Sequence, residues 1–168
     1  MSPFLTSLSL GLSFFLLADP THVRASQTGQ PAPAFELVTF GGESYTNESL
    51  KGRPVLFVFW APWCNVCQRE LPLLSAFSRQ EKPAQLGVVS VGFADSRSNV
   101  ERFVKERPGT FTFPTAYDED RWLAQAFKIN ATPTYVLLDG QGSIILVHRG
   151  AGVLHDGRFR EFLERLKD

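Results

Sequence analysis

The run Val55-Leu56-Phe57-Val58-Phe59-Trp60 is six apolar residues without alternation, and Ala61-Pro62-Trp63-Cys64-Asn65-Val66-Cys67 follows at once. An unbroken apolar run of this length reads as a strand buried on both faces. Such strands sit in the middle of α/β sheets whose two faces are covered by helices. A helix is expected from about Cys64 to Arg79, with Pro72 inside it, where the missing N–H removes a backbone bond and should kink it. Leu86 to Phe93 is a second expected buried strand.

The remaining elements fit around that centre. Phe35-Glu36-Leu37-Val38 and the stretch near Tyr45 flank Gly41-Gly42 and read as a hairpin. Asn47 to Lys51 reads as one helical turn ended by Gly52. Ser98 and Glu101 have the spacing of a capping box, opening a helix that stops at Pro108-Gly109. Thr112 to Ala116 is expected as a short strand, and Trp122, Leu123, Ala126 and Phe127 as a helical stripe. Thr134–Leu138 and Ser143–His148 are strands joined by the turn-rich Asp139-Gly140-Gln141-Gly142. Phe159, Phe162, Leu163 and Leu166 recur at i, i+3, i+4 and i+7, so an amphipathic helix closes the chain. This order predicts a mixed sheet with helices on both faces.

Charge excludes one class of function. The 168 residues carry 17 Lys and Arg against 17 Asp and Glu. No basic excess exists to hold a nucleic acid through its phosphates. The hydrophobic share of 43% excludes wholesale disorder. Two cysteines cannot staple a small disulfide scaffold, so a packed core must hold this fold.

Residues 3–18 are apolar or small and uncharged. That run is shorter than the ~20 residues of a comfortable membrane span and has the character of a signal-peptide h-region. Val23-Arg24-Ala25 offers small residues at −3 and −1, with cleavage before Ser26. No Lys or Arg precedes the run, so an uncleaved N-terminal anchor and a buried helix stay open as alternatives. Residues 1–25 are therefore expected to be a signal segment, residues 26–34 a flexible lead-in, and residues 35–168 one domain.

The chemistry lies at Cys64 and Cys67. Thiols at i and i+3 on a helix's first turn lie on one side and can close a disulfide with little backbone movement. At the helix N-terminus, unpaired N–H groups and the positive end of the dipole favour thiolate over thiol. A free cysteine titrates at about 8.5, and such a placement lowers that value. Cys64 is thus the candidate nucleophile and Cys67 the resolving thiol. Zinc is the competing use of a CxxC pair, but it wants four ligands. The sequence has no other cysteine, and its histidines are His22, His148 and His155, of which His22 falls in the signal segment. A purely structural bridge over two residues would restrict the unfolded chain little. Ala131-Thr132-Pro133-Thr134 precedes a predicted strand, where a proline serves either as a tight cis turn or as a plain strand-start residue.

WAPWCNVC, the helix proline five residues after Cys67, and Thr132-Pro133 before a strand together resemble thioredoxin-fold oxidoreductases. More narrowly, PAPAFELVTFGGESYTNESLKGRPVLFVFWAPWC resembles the redoxin pattern of the TlpA, ResA and CcmG group, over roughly residues 31–168. The resemblance implies an α/β thioredoxin-like fold with an N-terminal hairpin and an extra helix and strand over about Ser98 to Ala116. It implies a cis bond at Pro133, with that loop against the cysteines, and an active-site role for Glu70, which ResA-like proteins carry three residues after the second cysteine. A partly buried carboxylate there could exchange a proton with the resolving thiol; an ordinary solvated or Arg-paired glutamate is the alternative. Trp63 and Thr132 are candidate substrate contacts, although for Trp60 and Trp63 core packing is an equal reading. His148, His155 and Asp156 have no supporting constellation and read as solvated.

Departures narrow the group. Val58 stands where thioredoxins proper carry a buried Asp, and Asn65-Val66 lacks the proline many relatives place before the second cysteine. Ala61 and Phe57 occupy the positions where peroxiredoxins need Thr or Ser and Pro. The CxxxC of redoxin-type copper chaperones is absent. The resemblance implies an exported thiol–disulfide oxidoreductase that reduces protein disulfides, for example in apocytochrome c, with electrons from a membrane thiol transporter and no cofactor. A disulfide-introducing oxidant and a non-catalytic binding or chaperone module are the alternatives.

Overall fold

The structure is a computed structural model that describes residues 27–80 and 82–167. The expected signal segment lies outside the described residues. Among the described residues no helix is long and apolar enough to cross a membrane.

Five strands form the central sheet, in the order β5-β4-β3-β6-β7. The apolar run is β3 (Val55–Trp60), wholly buried and central, as its lack of alternation predicts. It pairs in parallel with β4 (Gly87–Gly92), and β4 in parallel with β5 (Thr115–Tyr117). On its other side it pairs antiparallel with β6 (Thr134–Leu138), which turns through Asp139–Gly142 into β7 (Ile144–Arg149). The Asp139 carboxylate accepts from the N–H groups of Gln141 and Ser143, and Gly142 takes the positive φ that the reversal needs.

The outer strand edges are covered. The hairpin β1 (Glu36–Val38) and β2 (Ser44–Thr46) lies against β5 through a Thr39–Ala116 bridge and the Phe40 N–H to Thr115 O bond. Residues 29–32 bond to Gly142 and Ile144 at the start of β7, and Gln27 Nε2 donates to Phe127 O. The expected flexible lead-in is therefore hydrogen-bonded to the body from Gln27 onward, because its backbone meets an open strand edge.

Helix α1 (Asn65–Gln80) spans Pro72 and buries Cys67, Leu71, Leu74 and Phe77 on one face of the sheet. The helices α2 (Arg97–Lys105) and α4 (Gly157–Arg165) share that face, packing Val100 and Phe159 into the same core. The other face is closed by α3 (Trp122–Ala126), the hairpin, and a cluster of Phe35, Phe57, Phe59 and Phe127. Trp122 departs from the expected stripe: it is exposed while Leu123 and Ala124 are buried. A left-handed Arg121 precedes α3 and sets its facing. The α2 cap also differs from expectation. Ser96, not Ser98, is the N-cap, accepting from Asn99 N at 3.2 Å. Asp95 reinforces it by accepting from Ser96 N and Asn99 Nδ2.

Candidate active site

The chain leaves β3 at Trp60, turns through Ala61-Pro62-Trp63, and enters α1. Cys64 N–H donates to Ala61 O at 3.1 Å and Gln68 Nε2 donates to Pro62 O at 2.8 Å, which hold this turn closed. Cys64 stands just before the first residue of α1 and Cys67 lies in its first turn. The two are disulfide-bonded, with Cα atoms 5.2 Å apart, as the i, i+3 spacing allows. Cys67 N–H donates to Cys64 Sγ at 3.0 Å, so the sulfur occupies the place of an N-cap oxygen. Cys64 is 5% exposed and Cys67 0%.

Trp63 beside them is 60% exposed, while Trp60 is fully buried between Phe103 and Phe111, so the two tryptophans divide between surface and core. Trp63 is not free to swing. Its Nε1 donates to Ala94 O at 3.0 Å, and Tyr117 Oη donates to Asp95 O at 2.9 Å, pinning the loop ahead of α2 from two sides. Ala94 takes a φ of 58°, an uncommon conformation for a residue with a side chain. A groove of about 270 Å³ runs from Trp63 and Pro62 to Asp95, Asn99 and Arg102.

The Thr132–Pro133 peptide is cis. Antiparallel register sets Thr134 opposite Phe59, so Pro133 lies level with Trp60 at the end of β3 that leads to Cys64. Pro133 is buried and Thr132 half-buried. Pro133 O accepts from Gly150 N at 2.8 Å.

Glu70 is half-buried, and among the described residues no ion pair joins it to an arginine. Its Oε2 accepts from Gly152 N at 2.7 Å, across 82 residues of sequence. Tyr135 on β6 lies within its field: burial first, and the Glu70 charge second, push the phenol well above its ordinary value. His148 and Asp156 are corrected from solvated residues to a shielded pair. Their Nδ1 and Oδ2 are 2.9 Å apart, with side chains 18% and 13% exposed. Asp156 also caps α4, accepting from Arg158 N and Phe159 N. Burial disfavours its charge, but the His148 bond, those two N–H groups and the Arg158 charge outweigh this and hold its carboxyl below the usual aspartate value. The local signal for Asp156 was present, an Asp ahead of an amphipathic run. Nothing local could have revealed its pairing with His148.

The family comparisons agree with this geometry. The Redoxin family model matches residues 27–161. The chain is 31% identical over 163 residues to the thiol-disulfide oxidoreductase ResA of Halalkalibacterium halodurans, covering 96% of this chain and 89% of that one. It is 30% identical over 141 residues to the thiol:disulfide interchange protein DsbE of Yersinia pestis, covering 82% and 71%. A putative DsbE from Chlorobium tepidum shares the fold, with a TM-score of 0.72 over 84% of this chain and 98% of that one at 23% identity.

Proposed function

The chain belongs to the Redoxin family and is a ResA/DsbE-like thiol–disulfide oxidoreductase with a CxxC disulfide, and from that premise we propose that it works outside the cytoplasmic membrane as a reductant of protein disulfides. The observation that carries the direction of attack is the unequal burial of the pair: Cys64, just before α1, keeps 5% of its surface exposed and Cys67 keeps none. A disulfide or thiolate at Cys64 also meets the Cys67 N–H and the positive end of the helix, which favour the anion on that sulfur.

In the reduced protein the Cys64 thiolate attacks one sulfur of a client disulfide. The client S–S bond breaks, its second sulfur leaves as thiolate, and Cys64 is joined to the client as a mixed disulfide. Cys67 then gives up its proton and attacks Cys64 Sγ, which releases the client as a dithiol. The protein is left as the Cys64–Cys67 disulfide, two electrons poorer. Glu70, one helical turn beyond Cys67, is the acceptor for that proton. Pro133 and Thr132 present client backbone beside Cys64, and the exposed Trp63 with its groove takes the neighbouring client side chains. The role of partner is filled by a membrane dithiol transporter that restores the thiols. Apocytochrome c, whose paired cysteines must be reduced before haem attachment, is a fitting client.

A Cys67→Ala variant tests the reading, because it stops the reaction at the mixed disulfide. Mass spectrometry should find a client sulfur on Cys64. Absence of any such adduct under conditions where the wild-type turns over would refute the assignment of Cys64. A reduction potential near about −120 mV, the range of strong oxidants, would reverse the direction of electron flow.

A further inference from the structure

The loop after β7 touches both sides of the site. Gly150 N donates to Pro133 O at 2.8 Å, and two residues later Gly152 N donates to Glu70 Oε2 at 2.7 Å. Both glycines take positive φ, of 88° and 87°, a turn that L side chains rarely adopt. Between them, Ala151 O lies 2.9 Å from His148 Nε2. The opposite ring nitrogen, Nδ1, lies 2.9 Å from Asp156 Oδ2. A carbonyl oxygen and a carboxylate oxygen are both acceptors. The neutral imidazole owns one N–H and can satisfy one of them; the imidazolium satisfies both.

We propose that His148 is a positioning residue of the disulfide site: its imidazolium, clamped between Asp156 and Ala151 O, locks the 150–152 loop that holds Glu70 and the Pro133 carbonyl, so disulfide exchange is fastest relative to the unclamped protein when His148 is charged. The inference rests on the thiol–disulfide reading above. Loss of the ring proton leaves the one N–H on Nδ1, toward the stronger carboxylate acceptor, so the Ala151 O bond is the one lost and the loop with its two N–H groups is released from its fixed place. Glu70 then loses its anchor beside Cys67, and the Pro133 carbonyl loses its own. The charged and titratable groups that bear on His148 are Asp156 and Arg158 at the start of α4, Tyr135 on β6 and Glu70 on α1 through Gly152. Tyr135 is its cross-strand partner, with ring centroids 5.9 Å apart, and Arg158 Nε is 3.7 Å from the other Asp156 oxygen.

The test is the pH profile of His148→Gln against the wild-type, in the pre-reduced protein, with a synthetic peptide that carries one intramolecular disulfide as the oxidant. Stopped-flow rates are taken from about pH 5 to about pH 9. The ratio of wild-type to variant rate cancels the common thiolate term. It should stand at about tenfold at the acid end, the worth of one charge-assisted hydrogen bond, and fall toward unity as histidine deprotonates. Asp156→Asn should give the same profile, since Asn still caps α4. It also carries the test alone if circular dichroism shows His148→Gln unfolded. His155→Gln, on the short turn before α4, should keep the wild-type profile. A ratio flat with pH, whether at unity or at a constant loss, overturns the inference while leaving the exchange activity standing. A wild-type no faster than Cys64→Ser overturns both.

Discussion

Replacing Gly92 with Ala tests how closely α2 is seated on the strand beside the site. Gly92 ends β4, next to Trp60 in register. A Cβ built there would fall well inside 3.0 Å of Val100 Cγ1 and 3.4 Å from Trp60 Cζ2. Val100 is fully buried and sits on the nine-residue α2, so its methyl cannot move without the helix. Gly92→Ala alone should therefore cost about 1–3 kcal/mol through overpacking. Val100→Ala alone removes two buried methyl groups and should cost about 2 kcal/mol. Together they should cost less than their sum by about 1–2 kcal/mol, because the clash disappears with the Val100 methyls and the new Cβ fills part of the space. Urea unfolding of the four proteins with the disulfide intact measures this through the midpoint at constant slope. Costs that add to within about 0.5 kcal/mol would refute the close approach of α2 to β4.

Glu70→Ala leaves the Gly152 N–H without its acceptor and should lower stability by about 1–2 kcal/mol and slow exchange, while Glu70→Gln keeps an acceptor oxygen, retains stability and still slows exchange; denaturant midpoints and stopped-flow rates separate the two effects. Asp118 is 4% exposed and accepts from Leu123 N and Ala124 N, so Asp118→Ala orphans two buried donors and should cost about 2–4 kcal/mol in thermal unfolding. The folded-state pKa of Asp156 lies below its ordinary value of 3.8, so its contribution is present at neutral pH and lost as pH falls from that value through the folded one. The stability gap between wild-type and Asp156→Asn should accordingly shrink as pH falls below that ordinary value, and a gap that widens there would contradict the sign.

Local chemistry carried the sequence a long way. Six apolar residues make β3 central wherever they occur, because only a position covered on both faces removes them all from water. Two cysteines three apart at the start of a helix meet across one turn, whatever the rest of the chain does. The strands, the hairpin, α4 and the disulfide follow from patterns only a few residues long, whereas the strand order β5-β4-β3-β6-β7 belongs to the assembled sheet. The expectations that changed were those in which several local solutions compete. Ser96 and Ser98 both suit an N-cap, and Asp95 decides for Ser96 by bonding its N–H and Asn99. Trp122 fits a helical stripe until the left-handed Arg121 turns it outward.

The surroundings of the cysteines belong to the tertiary structure. Glu70 finds its partner at Gly152, 82 residues away, and Trp63 finds Ala94, 31 residues away. His148 and Asp156 look like surface residues in the sequence because neither has a neighbour in the chain that suits it. They become a shielded pair only when β7 and α4 close over the loop between them. Patterns of period two or 3.6 report which face of an element meets the core. They carry no information about which polar atoms end up opposite one another, since that depends on how separate elements are set together in space.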